Sequence, residues 1–532
     1  MAKALFINPS YLRTYGANQG GLANPVYPVL GLAALSGALK RAGHDAEILD
    51  LSYRVYDPDE LRRHIVKGGY DVVGLTATTP LINQARDVSF LVKDISSNIK
   101  VIAGGAQPSA LPIETMYESA FDAVVVGEGD CTIVDILDGK HFKDISGVCW
   151  RDGDRPVMND PRPMVSDLDT LPMPAWELYP VGEYRGRLPK ILARYTPLTT
   201  IEFSRGCVFK CDFCGSKNTM GYGYRKKSPE RCAEEMLYLQ KLGYREVILA
   251  DDIFTSDNNW AVEVCEAFIR RGVKVAWTCT NGIRVDSADS RLFEVMKEAG
   301  CYRVHFGFES GNDAVLKAFG KGGHATLRQG EEAVRMARKA GLDTWGMFLL
   351  GLSADTADTM EDTIQYAKSV EVDVMRFGIT VPFPGTPMFN ALHKLGRIKS
   401  YDWDNYNVYS EVESLMDHPS LEWKTVRDYF HRAYVECYYK NPRYILRRLI
   451  RSIKTLELFW DIYFFVRFWL MLNRSPVVPG NERYAYRNLW DPLTVNPATL
   501  REYEVPVVRR KSSDQQRSHT PVELVQISRN IA

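Results

Sequence analysis

Short apolar runs alternate with amphipathic stretches along most of the chain. Residues 4–8 (Ala-Leu-Phe-Ile-Asn) are an apolar run closed by Pro9, the pattern of a buried strand. A Gly-rich loop over 16–28 follows. Residues 29–42 then carry apolar side chains at helical spacing and stop at Gly43. Residues 45–51 and 71–76 predict two further strands, and 61–67 and 82–95 two further helices. Residues 100–103 run into Gly104-Gly105, and 123–126 into Gly127-Glu128-Gly129. Strands that alternate with helices in this way predict a mostly parallel, doubly wound sheet. A small hairpin is expected over 148–161, and the proline-rich stretch 167–180 reads as a linker.

A second alternation begins at Leu198. Strands are expected over 199–204, 246–252, 273–280, 303–309, 343–350 and 374–381, separated by helices over 228–241, 260–271, 290–299, 327–340 and 360–370. Six β/α units make a parallel barrel two units short of a TIM barrel, with its chemistry at the C-terminal strand ends. Beyond Pro387 the alternation is lost. A helix is expected over 421–439, broken at Asn441-Pro442, and a long helical stretch over 443–472. The first part of that stretch is basic (Arg443, Arg447, Arg448, Arg451, Lys454) and the second aromatic, interrupted by Glu457, Asp461 and Arg467. It lacks the run of about 18 apolar residues that a spanning helix needs. Burial against the barrel is the expectation. Contact with a membrane surface and a wall for a lipophilic substrate are the alternatives. The resulting division is α/β for 1–145, hairpin and linker for 146–195, partial barrel for 196–390, a mainly helical part for 391–508 and a disordered polar tail for 509–532.

Composition changes this picture little. A chain of 532 residues suggests roughly three domains. Its 45% hydrophobic and 25% charged residues are those of a soluble globular protein. Lys plus Arg and Asp plus Glu are 66 each, so no basic excess points to nucleic acid. Ten cysteines are spread out, apart from three, which argues against a disulfide framework in a chain this long. The N-terminus runs straight into a strand, without the apolar region of a signal peptide, so a reducing cytoplasm is expected.

The three clustered cysteines carry the chemistry. Cys207-Val-Phe-Lys-Cys211-Asp-Phe-Cys214 follows the first barrel strand through the turn Arg205-Gly206. Thiolates suit iron–sulfur clusters or zinc. Structural zinc takes four ligands, usually as paired knuckles, and no second knuckle or suitably spaced His follows. A four-iron cluster normally takes four cysteines, so three leave one iron open. Other barrel strands end in Asp251-Asp252 and Glu309, and the sixth carries Arg376. Taken singly, each acid reads as readily as a loop-facing residue or helix cap as it does as a ligand contact. His305 is expected to be a packed strand residue, and Tyr222 and Tyr224 either cover a cofactor or only pack. In the front sheet, ligands bind beyond the carboxyl ends of the strands. Thr76-Ala-Thr78, Gly104-Gly105-Ala-Gln107 and Gly127-Glu128-Gly129 fall there, with small residues that admit a large flat ligand. No G-x-G-x-x-G opens the first helix, which argues against a dinucleotide domain.

The C-x3-C-x2-C spacing with Phe213 resembles the signature of the radical S-adenosylmethionine superfamily. The stretches Pro28-Val-Leu-Gly31-Leu32, Ala42-Gly43-His44, Val101-Ile-Ala-Gly104-Gly105-Ala-Gln107-Pro108 and Val126-Gly127-Glu128-Gly129 resemble the cobalamin-binding domain fused in front of many of its members. The D-x-H-x-x-G motif that supplies a cobalt ligand elsewhere is absent, and His44 reads as a surface turn residue. Over residues 1–390 the chain looks closest to the branch of the anaerobic magnesium-protoporphyrin ester cyclase and the hopanoid and bacteriochlorophyll methylases. This resemblance implies a [4Fe-4S] cluster on Cys207, Cys211 and Cys214. It implies S-adenosylmethionine chelated to the open iron, with Asp251 or Asp252 at its amino group and Glu309 at its ribose, and Arg376 has the charge to pair with its carboxylate. It further implies cobalamin at Thr76, Thr78, Gly104, Gly105, Gln107, Gly127, Glu128 and Gly129, and a reducing partner such as flavodoxin or ferredoxin. The implied reaction is C-methylation of an unactivated carbon of a lipophilic or tetrapyrrole-like substrate by way of a 5′-deoxyadenosyl radical. Oxidative ring closure or rearrangement without methyl transfer is the runner-up, and a non-catalytic corrinoid or iron–sulfur carrier the alternative of another class.

Overall fold

The computed structural model describes residues 1–12, 14, 27–117, 119–184, 193–320, 326–407 and 412–455, with five positions between 458 and 466. The expected tail 509–532 and most of the aromatic half of 443–472 lie outside the described residues.

In the front unit, β1 (Lys3–Asn8), β2 (Asp45–Asp50), β3 (Val72–Thr76), β4 (Lys100–Gly104) and β5 (Ala123–Val125) are parallel, in the order β2-β1-β3-β4-β5. The pleat sends alternate residues to opposite faces. Ala4 and Phe6 join one core with Leu32 and Leu39 of helix Leu30–Arg41. Leu5 and Ile7 join another with Leu61 and Ile65 of helix Pro58–Gly68 and Val88 and Val92 of helix Ile82–Ile95. The unit is therefore doubly wound, as expected. The strand order reverses between β1 and β3, the position of the ligand crevice in such sheets. The hairpin that the sequence assigns to the linker is β6 (Val148–Asp152) and β7 (Arg155–Met158). It pairs antiparallel with β5, so the front sheet has seven strands and continues past residue 145. His44 closes a turn: its Nδ1 accepts from the Ala2 N–H at 3.2 Å and its Nε2 lies 3.0 Å from Asp138.

The second unit contains β8 (Leu198–Ile201), a short antiparallel ribbon of β9 (Ser204–Arg205) and β10 (Arg225–Lys226), then β11 (Glu246–Leu249), β12 (Ala276–Ile283), β13 (Cys301–Glu309), β14 (Asp343–Leu350) and β15 (Val374–Ile379). Apart from the ribbon, these strands form one parallel sheet in chain order, with β8 and β15 at its edges. This is the open six-unit barrel. The connecting helices start where the sequence places caps. Ser228 Oγ accepts from the Arg231 N–H at 3.3 Å, Asp257 caps Asn258–Arg271, and Thr326 with Gln329 makes a capping box. Outward residues of β13 meet these helices: the Phe308 ring lies 5.7 Å from Tyr366 of helix Ala357–Ser369. His305 is on the opposite, inner face and stacks on Trp345 at 4.7 Å. Burial pushes its pKa well below the ordinary histidine range, which keeps it a neutral packing residue.

The proline-rich linker is a structural belt. Trp176, Tyr179 and Tyr184 are buried between the units, Ala175 N–H donates to Ala33 O at 2.8 Å, and Tyr184 Oη donates to Asp50 at 2.7 Å. After the barrel the chain returns to the front unit. Phe389 of helix Pro387–Lys394 packs with Trp403, Tyr406 and Leu415 against Leu5, Leu75 and Leu111. The expected helix over 421–439 is Trp423–Tyr434 continued by a π-helical turn, Val435–Tyr439. Helix Pro442–Thr455 then binds the barrel by its charged side. Arg451 pairs with Asp343 and Asp373, each at 2.8 Å, and Arg447 Nη2 donates to Val372 O at 2.8 Å. Its apolar side is exposed: Leu446 and Ile453 are each 60% exposed. The two acids at the barrel's foot, together with Arg451, decide which side turns inward.

Candidate active site

The cysteine loop is rooted where β8 ends, and two adjacent carboxylates hold the root. Asp251 follows β11, is 1% exposed, and accepts from the N–H groups of Phe203 (3.0 Å) and Ser204 (2.7 Å) and from Ser204 Oγ. Burial pushes its carboxyl up to about 7. Asp252 accepts from Gly206 N–H at 3.1 Å, and burial raises its pKa as well. Gly206 has φ +83, and a Cβ there would lie 2.0 Å from Gly223 O, so only glycine fits. The β9–β10 ribbon closes the base of the loop.

The loop presents Cys207, Cys211 and Cys214 half-buried, and none of the three is in a disulfide. They share a neighbour that sequence reasoning missed, Lys217. Burial lowers the pKa of this ammonium, while Cys211, Cys214 and Cys207 act to raise it. Lys217 also lies over the Tyr222 ring at 5.0 Å, whereas Tyr224 packs inward and donates to Phe254 O at 3.2 Å. The loop's aromatics are pinned. Phe213 meets Phe319 at 5.6 Å, and Phe209 lies 3.5 Å from the guanidinium of Arg284, itself clamped by Asp286 at 2.8 and 2.9 Å. Three soft thiols in one loop can each take a separate iron of a four-iron cluster and leave the fourth open, so the donor set suits it chemically.

Glu309 ends β13 beyond a register shift and has φ 64, alone among described non-glycine residues in the left-handed region. Strain of this kind collects at ligand sites. Arg376 lies on β15 opposite Met347, which lies opposite Gly307. It is exposed and alternates with Met375 and Phe377, which pack outward, Phe377 on Tyr434 at 5.3 Å, so Arg376 lies on the inner face. Asp252, Glu309 and Arg376 thus belong to the barrel's C-terminal rim and interior. Asp251 points instead into the protein, with both oxygens engaged.

In the front unit Thr76 and Gly104 end neighbouring strands, paired in register, and Thr78 is exposed just beyond. Gly105 has φ +103, and a Cβ there would lie 2.9 Å from Ala77 O. Gln107 is 2% exposed, and its Oε1 is buried without a hydrogen-bond partner. Gly127 has φ +78 and donates to Ser109 Oγ at 3.1 Å, while Gly129 sits against Leu35. Glu128 is turned away from the crevice. It accepts from Arg205 (3.2 Å) and Arg225 (2.7 Å) of the barrel unit and from Val165 N–H (2.8 Å). The sequence showed Arg205 only as half of a turn.

Residues 201–367 match the radical SAM superfamily, and residues 21–137 match the B12 binding domain. An uncharacterized methyltransferase of Pyrococcus horikoshii is 30% identical over 442 residues, covering 80% of this chain and 93% of the relative. The chain belongs to the cobalamin-binding radical S-adenosylmethionine enzymes. The anaerobic magnesium-protoporphyrin IX monomethyl ester cyclase of Rubrivivax gelatinosus is 27% identical, over 77% of this chain and 73% of its own. Among solved structures, the fold is similar to the radical S-adenosylmethionine methyltransferase TsrM from Kitasatospora setae with cobalamin and [4Fe-4S] cluster bound. Its TM-score is 0.62 at 20% identity, covering 75% of this chain and 76% of that one.

Proposed function

We propose that this member of the family is a C-methyltransferase acting on an unactivated carbon of a lipophilic or tetrapyrrole-like small molecule. The observation that carries the reading is the three-thiol loop, rooted at the barrel's C-terminal rim and bonded directly to the strand-end loop of the B12-binding unit. When bound, the cluster, S-adenosylmethionine and cobalamin supply a 5′-deoxyadenosyl radical and a transferable methyl group. Cys207, Cys211 and Cys214 would hold the cluster. Asp252, beside the loop, would accept from the ammonium of S-adenosylmethionine, Glu309 from its ribose, and Arg376 would pair with a carboxylate of S-adenosylmethionine or substrate. Thr76, Thr78, Gly104, Gly105 and Gly127 would line the corrin face, and the buried Gln107 Oε1 is an acceptor in search of a donor there. Asp251 and Glu128 would act on the scaffold rather than on a ligand. A small electron-transfer protein such as flavodoxin or ferredoxin would supply reducing equivalents.

The likeness to a cyclase favours a second reading, oxidative ring closure without methyl transfer. Anaerobic incubation of reconstituted protein with methyl-labelled S-adenosylmethionine and candidate lipids or porphyrins separates the two. Label in a new product is expected; 5′-deoxyadenosine with an unlabelled, cyclised product selects the second reading.

Glu309 gives a sharper test of site assignment. A left-handed backbone costs a residue with a Cβ about 1–2 kcal/mol. Glu309→Gly is therefore expected to raise the melting temperature of the apoprotein while weakening S-adenosylmethionine binding about tenfold through loss of a charged acceptor. Unchanged affinity by equilibrium dialysis would remove Glu309 from the site.

The outward face of helix Pro442–Thr455 suits an anionic lipid surface, the natural source of a lipophilic substrate. Ile445, Leu446, Leu449, Ile450 and Ile453 are exposed, and Lys440 and Arg443 stand exposed at its N-terminal end. No helix among the described residues is long and apolar enough to cross a membrane. The full chain is expected to sediment with phosphatidylglycerol–phosphatidylcholine vesicles, and Leu446→Glu/Ile453→Glu to stay in the supernatant. Equal partition of both would refute the contact.

A further inference from the structure

Arg205 lies two residues before Cys207, yet its side chain belongs to the front unit. Its Nη1 donates to Asp130 (2.8 Å) and Glu128 (3.2 Å), its Nη2 to Asp130 (3.4 Å), and its Nε to Glu202 (2.6 Å) at the end of β8. Arg225, opposite Arg205 in the β9–β10 ribbon, donates to the same Glu128 oxygen at 2.7 Å and to Val165 O at 2.8 Å. All five side chains are buried, at between 5% and 12% exposure. Two guanidinium and three carboxylate groups leave one net negative charge in the network.

Such a network is a poor way to gain stability. Taking charges out of water is expensive, and well-packed apolar residues often do as well or better. What a guanidinium fork adds is direction, because its planar donors fit carboxylates in one orientation. Here the fork spans the root of the cysteine loop and Gly127-Glu128-Gly129-Asp130, the turn that follows β5. Gly127, at φ +78, lies beside the barrel unit, where a Cβ would be in ordinary contact with Thr219 O at 3.6 Å. The linker is held by the other Glu128 oxygen through Val165 N–H.

We propose that Arg205, with Glu128 and Asp130, is a positioning residue that sets the separation and orientation of the cysteine loop relative to the B12-binding unit. The inference rests on the functional reading above. A carbon that has lost hydrogen on one side must meet a methyl donor held by the other unit, so a loosened clasp uncouples the two events before it affects either cofactor's own binding.

The test uses the full chain, reconstituted anaerobically with iron, sulfide and cobalamin. The readout is microwave power saturation of the cob(II)alamin electron paramagnetic resonance signal, which responds to a reduced cluster nearby. Arg205→Lys keeps the charge and removes the fork. It is expected to retain both centres at wild-type occupancy, to shift the half-saturation power, and with substrate to form about 10–100-fold more 5′-deoxyadenosine per methylated product. Glu128→Gln/Asp130→Asn, which removes the partner charges while keeping acceptor oxygens, should shift the same readout and covers the case in which Arg205→Lys does not fold. Wild-type saturation behaviour in both variants, with both centres present, overturns the proposal. A wild-type protein that takes up no cobalamin overturns the functional reading, and the clasp with it.

Discussion

Cys211→Ala is expected to abolish the charge-transfer absorption of the reconstituted cluster and reduce S-adenosylmethionine cleavage to background, while leaving the apoprotein's unfolding unchanged. With two thiolates left, the loop cannot hold a four-iron cluster that relies on three cysteines. The side chain is only half-buried in a loop, so its loss should change folding stability by no more than about 0.5 kcal/mol. The pairing of these results is informative. A structural zinc site contributes folding energy outright, so a variant that melted early and left no absorption change would point to zinc. Absorption spectra and thermal melts of the two proteins, prepared anaerobically in parallel, decide the matter.

Asp251→Ala is expected to do the reverse: to damage the scaffold and, through it, the site. Its carboxylate serves the N–H groups of Phe203 and Ser204 and the hydroxyl of Ser204. Each buried donor left unpaired costs about 1–3 kcal/mol, so a loss of about 3 kcal/mol or more is expected. The released segment is the one that Asp252 holds at Gly206, so cluster incorporation should fall as well. Asp251→Asn separates charge from shape. Burial holds the wild-type carboxyl at about 7, above its ordinary value of 3.8. The folded protein therefore keeps a proton that the unfolded chain gives up. This group's contribution to stability is full below about pH 4 and is lost as the pH rises through 7. Wild-type stability should fall relative to Asp251→Asn between pH 5 and pH 8 in urea titrations. Parallel curves would show that the carboxylate is ionised throughout.

Much of this molecule was legible in its sequence because its strands are buried on both faces and its helices carry proper starts and stops. Runs such as Asp-Val-Val-Gly-Leu-Thr at 71–76 and Arg-Val-His-Phe-Gly-Phe-Glu at 303–309 could be placed without a structure. The cysteine spacing is a local signal and needs no tertiary information. What was not legible depends on partners distant in the chain. The hairpin at 148–158 reads the same whether it is free or paired to β5. Asp251 and Asp252 are indistinguishable as letters, yet one faces the scaffold and the other the loop. Arg205 gains its role from carboxylates 75 and 77 residues away. The helix at 442–455 was legible only as a basic stretch. Which of its sides turns inward depends on Asp343 and Asp373, which draw the arginines toward the barrel.

The return of the chain after the barrel also bears on how the protein can be divided. Phe389, Trp403, Tyr406 and Leu415 join the core on the Leu5 and Leu75 side of the front sheet, with the turn at 403–405 against helix Ile82–Ile95. The B12-binding unit is thus discontinuous in sequence, completed by residues that are translated only after the whole barrel. A front half made alone would emerge with that part of its core incomplete and prone to aggregate. In the ribosome's order of synthesis, the first unit to appear is among the last to be finished. Exchange of this unit between relatives should succeed only when residues 387–416 travel with it.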